Sequence, residues 1–184
     1  DLKDVPNGAK VLEGPVPDWR KFGMPNYGTG GSMGSILGLP RFDTAEFEAR
    51  FPFGKVSLTD KEMPVRVTVL GWSPFIPGDP DNSSLPVGGL EYVLENTSTK
   101  PQEMIFSYHA RNFLSWGKGV DAIKVMPHGF VLSQAGTEAE PHLQGDFAIF
   151  TDEDSPKINY CWFRGGWFDS LTMVWNAIES GLMP

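Results

Sequence analysis

The sequence predicts an all-β chain, a two-sheet antiparallel β-sandwich with one short C-terminal helix. In several short runs apolar residues alternate with polar ones, which is the period of strands that are buried on one face. The 184 residues include 21 glycines and 16 prolines without an internal repeat, and turn signals recur at the spacing of about 8–12 residues that is typical of sandwiches. A single segment has helical period. Because one short helix cannot cover a large sheet, a second sheet must do so.

The central predicted strand is the run MPVRVTVLGW at residues 63–72. Its valines alternate with Arg66, Thr68 and Leu70, as β-branched residues do on a half-buried pleated surface. Residues 73–86 contain four prolines, which cannot donate to a ladder, so the strand must end in a loop. This loop carries apolar side chains and no lysine or arginine. Flexible linkers lack such apolar area, so we expect the loop to pack on a partner.

The other predicted elements follow from the same alternation. Residues 1–40 form an irregular, Gly/Pro-rich entry to the domain. The remaining predicted strands lie at 47–60, with a break or bulge near Pro52 and Gly54, and at 87–95, 104–108, 122–126, 129–133, 146–150 and 157–163, with a hairpin turn at 127–129.

A helix is predicted over residues 167–181. Four apolar residues there recur at the i, i+3, i+4 and i+7 spacing of one helix face: Leu171, Val174, Trp175 and Ile178. Asp169 or Ser170 can cap the start of this helix, and Gly181 can end it.

Composition bounds the class of protein. The length predicts one globular domain over residues 1–184. The net charge of −8 and the pI near 4.8 disfavour nucleic acid and anionic membranes as partners. No apolar run approaches the roughly 20 residues of a membrane span. Cys161 is the one cysteine, so no intramolecular disulfide can form. The compartment of the protein is left open.

No metal or cofactor site is predicted. The three histidines lack the spacing of a zinc site. Asp79, Asp81 and Ser83 resemble the start of a calcium-binding loop, but its positions 6 and 12 hold Ser84 and Leu90. We therefore expect Asx-turns in this Pro-rich loop. Sugar hydrolysis needs two positioned carboxylates, and 23 acidic residues single out no pair.

Four segments, in this order, resemble glycoside hydrolase family 116: GLPRFDTAEFEARFPFGKVSL, VRVTVLGWSPFIPGDPDNSSLPVGGLEY, FSYHARNF and RGGWFDSLTMVW. Together they cover most of residues 38–175. The resemblance implies the N-terminal β-sandwich of a retaining β-glucosidase or non-lysosomal glucosylceramidase. It also implies a C-terminal (α/α)6 catalytic domain in the same parent protein, which carries the glutamate nucleophile and the aspartate acid/base. No position of this chain matches those motifs, so no catalytic residue is assigned.

The leading hypothesis is therefore an accessory domain that is inactive alone and whose C-terminal helix leads toward the catalytic domain. A β-glucoside or a glycolipid is the ligand that the resemblance implies. The alternative is a stand-alone carbohydrate-binding module that uses exposed tryptophans, which can stack on sugar rings. An interaction domain without sugar contact is the third hypothesis. The domain-interface or sugar-contact candidates are Trp72, Phe75, Arg164, Trp167, Asp169 and Trp175.

Overall fold

The structure is a computed structural model and describes residues 1–18, 38–115, 121–160 and 170–181. The chain forms two compact units. Unit 1 contains Asp1–Ile105 and Ile178–Gly181, and unit 2 contains Phe106–Ala177. Each unit is built on one antiparallel sheet and is described by itself. The single domain over residues 1–184 stays a prediction.

Unit 1 holds a four-stranded antiparallel sheet in which neighbouring strands are consecutive in the chain. This confirms the predicted central strand and the predicted strand at 87–95. The strands are β1 (Thr44–Arg50), β2 (Phe53–Thr59), β3 (Val65–Trp72) and β4 (Gly89–Asn96).

The single strand predicted over residues 47–60, with a break or bulge near Pro52 and Gly54, is wrong. Phe51 and Pro52 reverse the chain, so that Arg50 pairs with Phe53 and Thr44 pairs with Thr59. Since Pro52 has no N–H for a ladder, the sequence break is a hairpin turn between two strands and not a bulge within one.

The two faces of this sheet differ sharply. One face carries the core of unit 1, where Leu58, Val65 and Val67 are almost fully buried. Residues from the entry segment and from the β2–β3 connection pack on them; the buried cluster also includes Leu2, Phe42 and Met63. The opposite face carries the alternate, mostly polar residues of each strand. This is the pattern of a sheet with one buried and one solvated face.

The strand predicted at 104–108 is wrong beyond its first residue. Met104 forms an isolated antiparallel bridge with Leu2, and the Ile105 N–H donates to the Asp1 carbonyl (2.8 Å). Residues 105–110 have no regular structure.

Unit 2 holds a three-stranded antiparallel sheet, which confirms three predicted strands. They are β5 (Asp121–Met126), β6 (Gly129–Gln134) and β7 (Gly145–Phe150). Pro127 and His128 form the predicted hairpin turn, with His128 at a φ of 59°. The final strand predicted at 157–163 does not form over residues 157–160, and residues 161–163 lie outside the described part of the chain.

Two α-helices lie wholly within the described residues, α1 (Pro80–Ser83) and α2 (Ser170–Glu179). Helix α2 confirms the predicted C-terminal helix, with Val174 buried on its apolar face. Gly181 has a φ of 66° and its N–H donates to the Ile178 carbonyl (2.9 Å), as expected of a glycine that ends a helix. Among the described residues, no helix has the length and apolar character that a membrane crossing requires.

The all-β fold class is confirmed. Two antiparallel sheets account for the regular structure, and α2 is the one described helix longer than a single turn. Each sheet has one face rich in apolar residues, as the sheets of a sandwich do.

Candidate functional site

A polar hollow of about 410 Å³ lies on the solvated face of the sheet in unit 1. Its lining comes from alternate positions of all four strands, because residues i and i+2 of a strand point to the same side. The lining residues, called the polar hollow from here on, are Thr44, Glu46, Lys55, Ser57, Thr59, Arg66, Thr68 and Glu95.

The charges of the polar hollow balance. Its two carboxylates, Glu46 and Glu95, are matched by Lys55 and Arg66. Arg66 Nη1 donates to Glu95 Oε2 at 3.1 Å, and both side chains are more than half exposed. Within the described residues, Glu46 and Lys55 make no side-chain hydrogen bond or ion pair, and nor do Ser57 and Thr68. The hollow therefore offers donors and acceptors that are free to bind a ligand.

An aromatic platform lies on the same face of the sheet as the polar hollow. Trp72 has the same strand parity as Arg66 and Thr68, and its cross-strand partners are Phe53 on β2 and Gly89 on β4. The indole covers Gly89 so closely that a Cβ there would lie 2.4 Å from an indole ring carbon. Only glycine lets the indole lie against β4 in this way. Trp72 and Phe53 remain 44% and 48% exposed.

The loop between β3 and β4 is held by its own polar groups. The Ile76 N–H donates to Ser83 Oγ (2.9 Å), and that hydroxyl donates to the Ile76 carbonyl (3.2 Å). Asp79 caps α1 by accepting from the Asn82 N–H (3.0 Å). These bonds make the loop an ordered element, as its composition predicts.

The cap explains the resemblance to a calcium loop. The N–H and the side-chain amide of Asn82 bind the Asp79 carboxylate and hold its pKa below the ordinary value. The expected Asx-type turn is thus present. Among the residues that the structure describes, no group of three or more acidic, histidine or cysteine side chains is placed to hold a metal ion.

The same loop carries an exposed apolar surface. Phe75 makes an edge-to-face contact with Phe51 of the β1–β2 turn, with ring centroids 4.7 Å apart. Three further aliphatic side chains of the loop are about half exposed. This surface, called the loop surface from here on, consists of Phe51, Phe75, Ile76, Leu85 and Val87.

Two of the predicted site residues make different contacts in the structure. Trp72 belongs to the aromatic platform and Phe75 to the loop surface, although only two residues lie between them. Trp175 is half-buried on α2 in unit 2. Arg164, Trp167 and Asp169 lie outside the described residues.

Neither the polar hollow nor the place of Phe53 beside Trp72 was predicted from the sequence. The alternation of residues 44–72 places Lys55, Ser57 and Arg66 on the outer side of their strands, and this signal was present. The pairing register that brings these residues together could not be predicted, because it depends on the hairpin at Phe51 and Pro52.

Comparison with known proteins gives the family. A family model described as "beta-glucosidase 2, glycosyl-hydrolase family 116 N-term" matches residues 5–183. The chain belongs to this family. Among curated proteins, no match is found. An N-terminal domain of family 116 implies a catalytic domain in the same parent protein.

Proposed function

We propose that this chain is the accessory N-terminal domain of a retaining β-glucosidase or glucosylceramidase, and that it supports a C-terminal (α/α)6 catalytic domain. The family match over residues 5–183 is the observation that carries the proposal. The catalytic carboxylates that the resemblance implies belong to the helical domain. In the parent protein, this chain then contributes stability and docking area, and the helical domain carries out the hydrolysis.

The loop surface supplies the docking contact in this proposal. Its five side chains are between 46% and 76% exposed, so they gain apolar burial when a partner covers them. The loop between β3 and β4 has no lysine or arginine to desolvate. The Ser83 hydroxyl fixes the loop at Ile76 before docking, which lowers the entropy that association would cost.

The test is turnover of an aryl β-glucoside by the purified chain. We expect no turnover above that of buffer, while the parent protein hydrolyses the same substrate. Clear turnover by the purified chain that a point substitution within residues 1–184 abolishes would overturn the proposal, because a catalytic site would then lie in this domain.

The stand-alone binding module is the second candidate function. The exposed Trp72 beside the polar hollow favours it. In that function the chain binds a sugar by itself, without a catalytic domain.

A further inference from the structure

We propose that the polar hollow and the aromatic platform together form a binding site for a neutral oligosaccharide. The site is distinct from the loop surface and does not depend on the docking proposed above. It is built on the outer face of a regular sheet, so its side chains are positioned by the strand register.

The platform and the hollow form one continuous track along β3. Trp72 stands at one end, with Leu70, Thr68 and Arg66 following at every second residue on the same face. The track from Trp72 to Arg66 is about 20 Å long at the rise of a β-strand. This length accommodates several sugar rings in a row.

The two ends of the track offer the two contacts that sugars need. At one end the indole of Trp72 lies over Gly89 and presents an exposed apolar surface, on which the C–H face of a sugar ring can stack. At the other end carboxylates, an ammonium, a guanidinium and hydroxyls offer both acceptors and donors to sugar hydroxyls. Glu46, Lys55 and Ser57 have no intramolecular bond to break within the described residues.

The charge of the hollow selects a neutral ligand. Glu46 and Glu95 balance Lys55 and Arg66, so the lining has no net charge and offers no net attraction to an anionic or a cationic chain. A neutral polyhydroxylated ligand needs no such attraction, because it binds through hydrogen bonds.

Exposure to solvent does not explain why this face of the sheet carries two large aromatic side chains. Phe53 and Trp72 lie on the side of the sheet opposite the buried cluster, where they fill no core, and each keeps almost half of its surface exposed. Outward positions of a half-buried sheet are otherwise polar. Two exposed aromatic side chains at cross-strand partner positions, beside polar side chains that include the unbonded Lys55, are the arrangement expected of a sugar-stacking surface.

Isothermal titration of the full chain with cellotetraose, laminaritetraose and tetragalacturonate tests the site. We expect saturable binding of at least one of the two neutral tetrasaccharides and none of the anionic tetragalacturonate. In Trp72→Ala the affinity for the neutral ligand should fall by about tenfold or more, because the stacking surface is lost.

Phe75→Ala is the matched control, since Phe75 is as exposed as Trp72 but belongs to the loop surface. Its affinity should equal that of the wild type. Lys55→Ala is the second test variant, in case Trp72→Ala does not fold. It should weaken binding several-fold, because it removes the ammonium that donates to a sugar hydroxyl. Melting curves check that each variant is folded.

Three results would each overturn the proposal. The first is that neither neutral tetrasaccharide binds saturably to the wild type. The second is that Phe75→Ala weakens binding as much as Trp72→Ala. The third is that tetragalacturonate binds at least as tightly as the neutral ligands. None of these results depends on a catalytic domain, so they leave the accessory function to its own test.

Discussion

Asp60 anchors the entry segment of unit 1 to the end of β2. Its carboxylate accepts from the Lys10 ammonium and from the backbone N–H groups of Asp43 (3.2 Å) and Glu62 (2.9 Å). The Asp60 side chain is 0% exposed and that of Lys10 is 9% exposed. A charge buried to this degree is tolerable only when it is paired and hydrogen-bonded.

Asp60→Asn should lower the free energy of unfolding by about 3 kcal/mol, because it leaves the Lys10 ammonium buried without its counter-charge. Urea denaturation measures the change. Asp146→Asn is the control, since it breaks the ion pair of Asp146 with Lys124, in which both side chains are 58% exposed. That change should cost less than about 1 kcal/mol. Equal effects of the two substitutions would contradict the buried pairing.

Asp60 also predicts how stability depends on pH. Burial by itself raises the pKa of Asp60, but the hydrogen bonds from Lys10 and from the N–H groups of Glu62 and Asp43, with the charge of Lys10, outweigh it and hold the pKa below its ordinary value of 3.8. The folded protein therefore binds this proton less tightly than the unfolded chain does. The stabilisation is fully present above the ordinary value and is lost as the pH falls through the lower folded pKa.

Below about pH 4 the free energy of unfolding should therefore fall more steeply in the wild type than in Asp60→Asn. Urea denaturation series at several pH values give both slopes. Parallel slopes would show that Asp60 does not titrate with the depressed pKa.

At the scale of elements, the Ser83 hydroxyl is one of the polar groups that order the β3–β4 loop. Ser83→Ala removes the acceptor of the Ile76 N–H, so hydrogen exchange at that amide should become about tenfold faster. Ser84→Ala is the control, because its hydroxyl donates to the Pro80 carbonyl and does not touch Ile76. Unchanged exchange in Ser83→Ala would mean that another contact orders the loop.

Elements were predictable where the alternation had a long partner strand. β3 and β4 pair over eight residues, and both were predicted close to their observed limits. The equally regular alternation at 104–108 failed, because in the described residues this run forms only the isolated bridge between Met104 and Leu2. The Phe51-Pro52 turn was read as a break in one strand, since proline marks a turn without indicating whether the chain reverses.

At the scale of the whole molecule, the candidate site was only partly predictable. Trp72 and Phe75 could be singled out from composition, but their assignment to two different surfaces required the positions of Gly89 and Phe51. The polar hollow could not be predicted from any one segment, because Lys55 and Arg66 meet only through the pairing of β2 with β3. Sequence motifs were enough to identify the family, whereas the site could be found only from the pairing register of the strands.

The accessory function is tested most directly by adding the purified chain to the separately produced catalytic part of the parent protein. The measurement is the temperature at which that part loses half of its β-glucosidase activity. We expect the wild-type chain and Trp72→Ala to raise this temperature equally and Phe75→Ala to raise it less, because only Phe75 belongs to the loop surface. An unchanged temperature with the wild-type chain would contradict the proposed support of the catalytic domain.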